Sequence, residues 1–488
     1  MGQGPAKCCS HVAIGWGLRT VYRLSGFDAA MLSFESLAGP LTAGSLWQLD
    51  WSTAPEPYSF ERFRDRIAER IPALPEFRMK LADSRWNPDT PVWVDDPDFD
   101  IDRHVHRVQL PAPGSRRDLM ELCGSLLAQR MDRSRPLWDI WAIEGIAPEV
   151  GFDGGVAVMH RFHHSLADGD SAFAIFARLC STVADPPPPQ FRPGVGTVTE
   201  RQLVLGGIKR FAARPWRLFT TVVPVAARAA RKTLRPTRRG PKLTIKKVPR
   251  TPFNGNISER RGVAYCQLDL TDVKTVKDRF GGTVNDVVLA VVSAALRRFL
   301  LDRAALPDAT LVAGLPVALR ANRDSRNNLS GTRCPLYTDI VDPVDRLKAI
   351  ATASSIAKQR NSEIWPTMML DLCEFAPGLL TSGMWLYRWT GLTNRLHIYN
   401  ASVSHVRPPD EQYYLAGAAV RARFTLGAVF NGGGLAIIVN SLYGKLNIGM
   451  VGCGEKLPHE DIGELAGLLQ PALQELLDRV DSARTACG

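Results

Sequence analysis

Three histidines and two aspartates crowd into Met159-His-Arg-Phe-His-His-Ser-Leu-Ala-Asp-Gly-Asp-Ser171, with His163 and His164 adjacent and Asp168-Gly169 close behind. An imidazole with an ordinary pKa of about 6.5 can take a proton near neutrality, so the string can supply a general base. Three other readings compete. His160, His163 and His164 have metal-like spacing, but there is no HExxH pattern and no cysteine partner. Ser165 beside His164 suggests a nucleophile and its base, yet neighbours in sequence rarely face one another, and no GxSxG elbow occurs in the chain. Any one histidine could equally be a satisfied core residue. Composition alone leaves these open.

The elements around the string suit a positioned side chain. Gly155 to Met159 is a short apolar run that reads as a buried strand, and Phe173 to Leu179 reads as an apolar helix. A strand-to-helix junction aims a residue from a rigid scaffold into a cleft. Elsewhere Phe60 to Ile71, Leu119 to Met131 and Val284 to Leu300 have helical spacing. Val92 to Val94, Val105 to Leu110 and Ala436 to Asn440 read as strands. Helix and strand signals alternate in both halves, which predicts an α/β fold.

A polyproline run, Asp185-Pro-Pro-Pro-Pro-Gln-Phe-Arg-Pro193, marks a boundary. The reading is an N-terminal extension over 1–22, a domain over 23–185, a connector over 186–254 and a second domain over 255–488. The net charge is +11, and fifteen Lys or Arg fall between Arg201 and Arg250, where there is no Asp or Glu. The rest of the chain is therefore mildly acidic. Leu203, Leu205, Ile208, Phe211, Trp216 and Phe219 are interleaved with these charges. That pattern fits an anionic membrane surface better than a solvated linker, and better than nucleic acid. Arg231, Lys232, Arg235, Arg238 and Arg239 are the candidate membrane-binding cations. With 45% hydrophobic and 22% charged residues the chain is globular. It shows no run long enough to span a bilayer and no secretory h-region. The nine cysteines form no CxxC pair and read as free thiols in a reducing compartment.

His163-His164-Ser165-Leu166-Ala167-Asp168-Gly169 matches HHxxxDG, the signature of the coenzyme A-dependent acyltransferase superfamily. Further strings follow in order: Ser25-Gly-Phe-Asp-Ala29, Pro136-Leu137-Trp138, Asn285-Asp286, Pro316-Val-Ala-Leu-Arg320, Asn328-Leu-Ser330, Asp342-Pro343, Tyr414-Leu-Ala-Gly-Ala418 and Asn440-Ser-Leu-Tyr443. Over nearly its whole length the chain resembles the bacterial wax ester synthase/diacylglycerol acyltransferase family. It departs at Ser404-His-Val-Arg-Pro-Pro409, where that family has Ser-Asn-Val-Pro-Gly-Pro. The departure bears on the shape of the substrate tunnel and hence on the acceptor.

The resemblance implies two chloramphenicol-acetyltransferase-like domains, each a mixed sheet with helices, around a shared channel. It implies transfer of a fatty acyl group from acyl-coenzyme A to diacylglycerol, with long-chain alcohols as a further acceptor. There is then no metal and no cofactor, acyl-coenzyme A being a substrate. The protein is placed in the cytoplasm, at the inner face of the membrane or on lipid bodies. His164 is the general base on this reading. His163 and Asp168 support it, the latter by pairing with an Arg or capping the next helix, and Gly169 permits a tight turn. Asn285 is either an oxyanion donor or, with Asp286, part of a helix cap. Pro136, Leu137 and Trp138 read as core packing. Rival readings are a condensation-type or polyketide-associated acyltransferase and a catalytically silent lipid-binding protein on the same fold.

Overall fold

Apolar alternation in the first half produces strands, and Ser or Thr before amphipathic runs produces helices. The computed structural model describes residues 22–166, 175–187, 189–217, 247–318, 329–361, 375–407 and 411–485, with isolated positions between them. The first half supplies β1 (Tyr22–Arg23), β2 (Thr42–Asp50), β3 (Met79–Ala82), β4 (Val92–Asp95), β5 (Val105–Gln109), β6 (Trp138–Glu144) and β7 (Ala157–His163). Its helices are α1 (Gly26–Ala38), α2 (Phe60–Arg70) and α3 (Arg116–Leu127), and α4 (Glu200–Ala212) follows in the connector.

The second half supplies β8 (Arg261–Asp269), β9 (Val312–Ala318), β10 (Leu329–Pro335), β11 (Ala401–Val406), β12 (Tyr414–Leu415), β13 (Ala418–Leu426), β14 (Leu435–Leu442) and β15 (Lys445–Cys453). With them run α5 (Leu270–Phe280), α6 (Val284–Leu301), α7 (Pro343–Asn361), α8 (Pro377–Trp389), α9 (His459–Gly467) and α10 (Leu469–Thr485). Ser115, Thr199 and Thr283 close capping boxes with Asp118, Gln202 and Asp286, which fixes where α3, α4 and α6 begin.

Two mixed six-stranded sheets result, in the orders β12-β13-β2-β7-β6-β5 and β10-β9-β11-β14-β15-β8, beside a small sheet β1-β4-β3. This is the mixed α/β architecture that the alternation of elements predicts.

The sheets do not respect the sequence boundary at residue 255. The hairpin β12–β13 comes from the second half yet extends the first sheet, with β13 antiparallel to β2 and Phe424 opposite Leu46. The reason is burial on both faces. Leu415, Ala418 and Val420 enter the first core with Trp47 and Val158. Phe424 and Leu426 enter a second core where Leu46, Leu119 and Met159 meet Val263, Tyr265 and Val451. Part of the connector packs on the first half of the chain. The Val195 and Gly196 amides donate to the Asp95 carboxylate at 3.0 and 2.7 Å. Leu203 of α4 buries against Val92 and Val94 of β4.

Candidate active site

β7 carries the histidine string through the middle of the first sheet, between β2 and β6. All of its residues from Ala157 to His163 are buried. His160 lies opposite Ser45 of β2, and Arg161 opposite Asp139 of β6. Arg161 Nε donates to Asp139 Oδ1 and Oδ2 at 2.7 and 2.9 Å, so the two strands are joined by a buried ion pair just before the paired histidines.

His160 has a structural task. Its Nδ1 accepts the Trp47 indole N–H at 2.6 Å, and its ring stacks on Phe176 at 3.8 Å. Burial, with the Arg423 guanidinium adding to it, holds the ring well below the usual imidazole range. Arg423 is itself buried, donating from Nε to Ser45 Oγ at 3.0 Å with its guanidinium 5.2 Å over the Trp47 ring. Burial pushes it down to about 9. A neutral ring held between Trp47 and Phe176 is placed for packing and not for chemistry. Among the described residues no group of three His, Cys, Asp or Glu could hold a metal ion.

His163 is locked inward. The Ser165 backbone N–H donates to its Nδ1 at 3.1 Å, and Ser165 Oγ donates to the same nitrogen at 2.7 Å. A ring nitrogen that accepts carries no proton, so the neutral ring holds its proton on Nε2. Nε2 faces Glu35 Oε1 of α1 at 3.8 Å. That contact is not an ion pair, because burial, then Arg133 and His164, push His163 down to about 3. Glu35 has its cation elsewhere: its Oε2 accepts from Arg133 Nη2 at 2.7 Å, and the same nitrogen donates to Leu32 O at 2.6 Å.

His164 is the first residue beyond β7 and only partly buried. Its backbone N–H donates to Leu41 O at 2.9 Å, and its ring meets Phe430 edge-on at 6.4 Å. Leu41 and Phe430 belong to an apolar cluster with Ala30, Met31 and Phe34 of α1 and with Leu380 and Met384 of α8. One histidine is thus fixed and neutral, and the next stands partly exposed beside an apolar wall.

Residues 24–288 match the wax ester synthase/diacylglycerol acyltransferase catalytic domain, and residues 326–477 match the WS/DGAT C-terminal domain. The chain belongs to this family. A Mycobacterium tuberculosis protein provisionally named diacylglycerol O-acyltransferase Rv1760 is 40% identical over 474 residues, 96% of this chain and 92% of its own length. The same organism's tgs2, named as a probable diacylglycerol O-acyltransferase, is 30% identical over 92% of this chain and 97% of its own. The solved wax ester synthase/diacylglycerol acyltransferase from Marinobacter aquaeolei VT8 superposes with a TM-score of 0.68 at 25% identity, covering 94% of this chain and 100% of that one. A starter condensation domain of rhizomide synthetase, solved with C8-CoA, shares the fold at TM-score 0.54 and 12% identity, over 94% of this chain and 95% of its own. The protein is an acyltransferase of the wax ester synthase/diacylglycerol acyltransferase family.

Of the family's strings, Pro136-Leu137-Trp138 leads into β6. Leu137 O accepts the His163 N–H at 3.1 Å. Trp138 Nε1 donates to Phe77 O at 2.8 Å, and its ring packs against Phe77 and His104. These contacts set β6 beside the histidine strand. Asn285 and Asp286 lie in the first turn of α6, where Asp286 closes the capping box with Thr283 and faces Lys358 at 4.0 Å. His164 meets Leu41 through its backbone and Phe430 through its ring. Asp286→Ala is expected to cost about 1–2 kcal/mol by loss of the cap, read as a lower urea midpoint with kcat retained per folded molecule. Loss of kcat at unchanged stability would move the pair into the chemistry.

At the departure from the family string, His405 of β11 lies opposite Val439 of β14, and its Nε2 is 2.7 Å from Ser441 Oγ. Burial, helped by Arg407, pushes it down to about 4. The neutral ring keeps a polar, hydrogen-bonding group where the family has Asn. Asp168, Gly169, Arg231, Lys232, Arg235, Arg238 and Arg239 lie outside the described residues.

His163 and His405 both titrate lower folded than unfolded, which fixes the sign of a pH effect. Unfolded imidazoles gain protons below pH of about 6.5 and the folded ones resist, so stability is full above that pH and falls as pH drops. The loss runs down to about 3 for His163 and about 4 for His405. Each contributes roughly 2 kcal/mol of loss between pH 6.5 and 5. Urea midpoints measured across that range should fall steeply, and His405→Asn should flatten the slope. An unchanged slope in that variant contradicts the buried, neutral ring.

Glu35 and Arg133 escape a reading of the sequence, although a lone carboxylate inside the apolar run Ala29 to Leu37 is a signal that can be found. Leu41 and Phe430 leave no such trace, because their place beside His164 is set by strand and loop geometry.

Proposed function

We propose that the protein transfers a fatty acyl group from acyl-coenzyme A to the free hydroxyl of a diacylglycerol, with long-chain alcohols as a second acceptor. His164 takes the proton from that hydroxyl as its oxygen attacks the thioester carbonyl. The tetrahedral oxyanion then collapses, the C–S bond breaks, and the thiolate of coenzyme A leaves with a proton returned from the imidazolium. No acyl-enzyme is formed and no metal or cofactor takes part. The observation that carries this reading is the division of labour in the adjacent histidines. His163 is buried and pushed down to about 3, whereas His164 is the partly exposed one. A general base must reach substrate, and only a ring with an open side can do so.

The mycobacterial relatives' names favour diacylglycerol as acceptor. The condensation domain solved with C8-CoA favours an acyl-coenzyme A donor on this fold. A water-insoluble acceptor places the enzyme at a lipid surface on the cytoplasmic side, as a peripheral protein. No described helix is long and apolar enough to cross a membrane. The test is labelled palmitoyl-CoA offered separately with diacylglycerol, monoacylglycerol and hexadecanol, the products resolved by chromatography. Labelled triacylglycerol as the main product is expected. Release of free palmitate alone, with no labelled neutral lipid, refutes the assignment.

A further inference from the structure

α8 has two unlike faces. Leu380 and Met384 point inward onto the cluster that holds Leu41 and Phe430, both of which His164 meets. Tyr387, on the same side, donates its hydroxyl to Leu396 O, and a Cβ on Gly432 would stand 2.9 Å from that hydroxyl. Outward, Trp385 and Leu386 are 51% and 50% exposed and Trp389 is 70% exposed. The two indoles stack at 5.6 Å and 6°. Just beyond, Leu396 and Ile398 are exposed as well. An exposed apolar group of this size marks a contact site.

The charge along this stretch of chain is of one sign. From Pro377 to Asn400 there is no Asp or Glu, while Arg388 and Arg395 are present. His397, between the two exposed aliphatics, feels Arg250, Lys456 and Lys247. Lys456 in turn feels the Glu455 carboxylate beside it. We propose that the outward face of α8 and the turn after it dock the protein on an anionic phospholipid surface, directly outside the apolar wall of His164. Indole rings with a polar N–H suit the headgroup level, aliphatic side chains reach below it, and a cationic rim meets anionic lipid. The inference rests on the acceptor being a membrane lipid, and it names the surface that meets the membrane.

α4 is the rival surface, with Leu205, Ile208 and Phe211 exposed. There Arg210 and the following Arg214 pair with Asp89 at 2.7 and 3.1 Å. α4 also packs on the small sheet, away from the cluster at His164.

The test uses the full chain and vesicles of phosphatidylcholine alone or mixed with phosphatidylglycerol. Co-sedimentation should be stronger on the mixed vesicles. W385E/W389E should weaken it by about tenfold or more. Acylation of vesicle-borne dioleoylglycerol should fall in parallel, while acylation of hexanol from octanoyl-CoA stays within about twofold of wild type because His164 is untouched. W385F/W389F, which keeps the packing, should bind and lose most of the fluorescence quenching by brominated lipid. Unchanged binding of W385E/W389E, or loss of binding only in I208E/F211E on α4, overturns the proposal. So does a change from dimer to monomer in W385E/W389E, which would make the face a contact between two copies. If wild type acylates neither acceptor, the functional reading fails, and sedimentation and quenching still decide the docking face.

Discussion

His164→Ala is expected to lower acyl transfer by about 10²–10⁴-fold, the usual cost of removing a general base, with the melting temperature unchanged. The contacts of His164 make the two readouts separable. Its tie to Leu41 O is made by the backbone N–H, which alanine keeps. Its ring is partly exposed and meets Phe430 edge-on at 6.4 Å, so little packing is lost. His163→Ala should behave in the opposite way. That ring is 1% exposed and accepts both the N–H and the hydroxyl of Ser165. Its removal leaves buried donors without an acceptor, a penalty of about 1–3 kcal/mol, together with a cavity. The pair of variants therefore gives a crossed pattern: activity lost at constant stability for His164, stability lost first for His163. A His164→Ala protein that keeps more than about a tenth of wild-type kcat rules out the general-base role.

The histidine string stands out as a candidate in the sequence because its members are local. Adjacent His163 and His164, a short apolar run before them and an Asp-Gly after them are all close neighbours in sequence. Long helices and central strands were legible for the same reason. The apolar period from Val284 to Leu300 becomes α6, Val284–Leu301, and Val92 to Val94 becomes β4, Val92–Asp95. What could not be read is what loops and register bring together from afar. Nothing in Tyr414 to Leu426 says that this hairpin leaves its own half to pair with Thr42–Asp50, since strand partners across several hundred residues are chosen by burial and not by local pattern. The wall at His164 is a case of the same kind. Met31, Leu41, Met384 and Phe430 come from four separate stretches, each an ordinary apolar residue in its own context. Glu35 with Arg133 lies between the two cases. A carboxylate in an apolar helix can be noticed, but its cation lies 98 residues away.

The second large effect concerns the ion pair that stands behind the histidines. Asp139 and Arg161 lie opposite one another on β6 and β7 and are 8% and 5% exposed. The Asp139 carboxylate also accepts the Trp141 indole N–H at 2.9 Å, and Arg161 Nη1 donates to Leu126 O. Asp139→Ala strands a guanidinium between two central strands with one backbone carbonyl and the Trp141 ring for company. Breaking a buried pair from one side costs about 3–5 kcal/mol, because an uncompensated charge stays behind. Urea unfolding should show that loss as a shifted midpoint at unchanged slope. Taking both charges away is a different experiment. Asp139→Leu with Arg161→Met removes the stranded ion, so the double variant should recover most of what Asp139→Ala loses, a strongly non-additive result for groups in contact. Its acyl transfer should also survive, since His164 keeps its hold on Leu41 O whether or not the pair behind it is charged. If Asp139→Ala lies within about 1 kcal/mol of wild type, as an exposed ion pair would, then water reaches this pair and β7 is anchored by its ladder and packing alone.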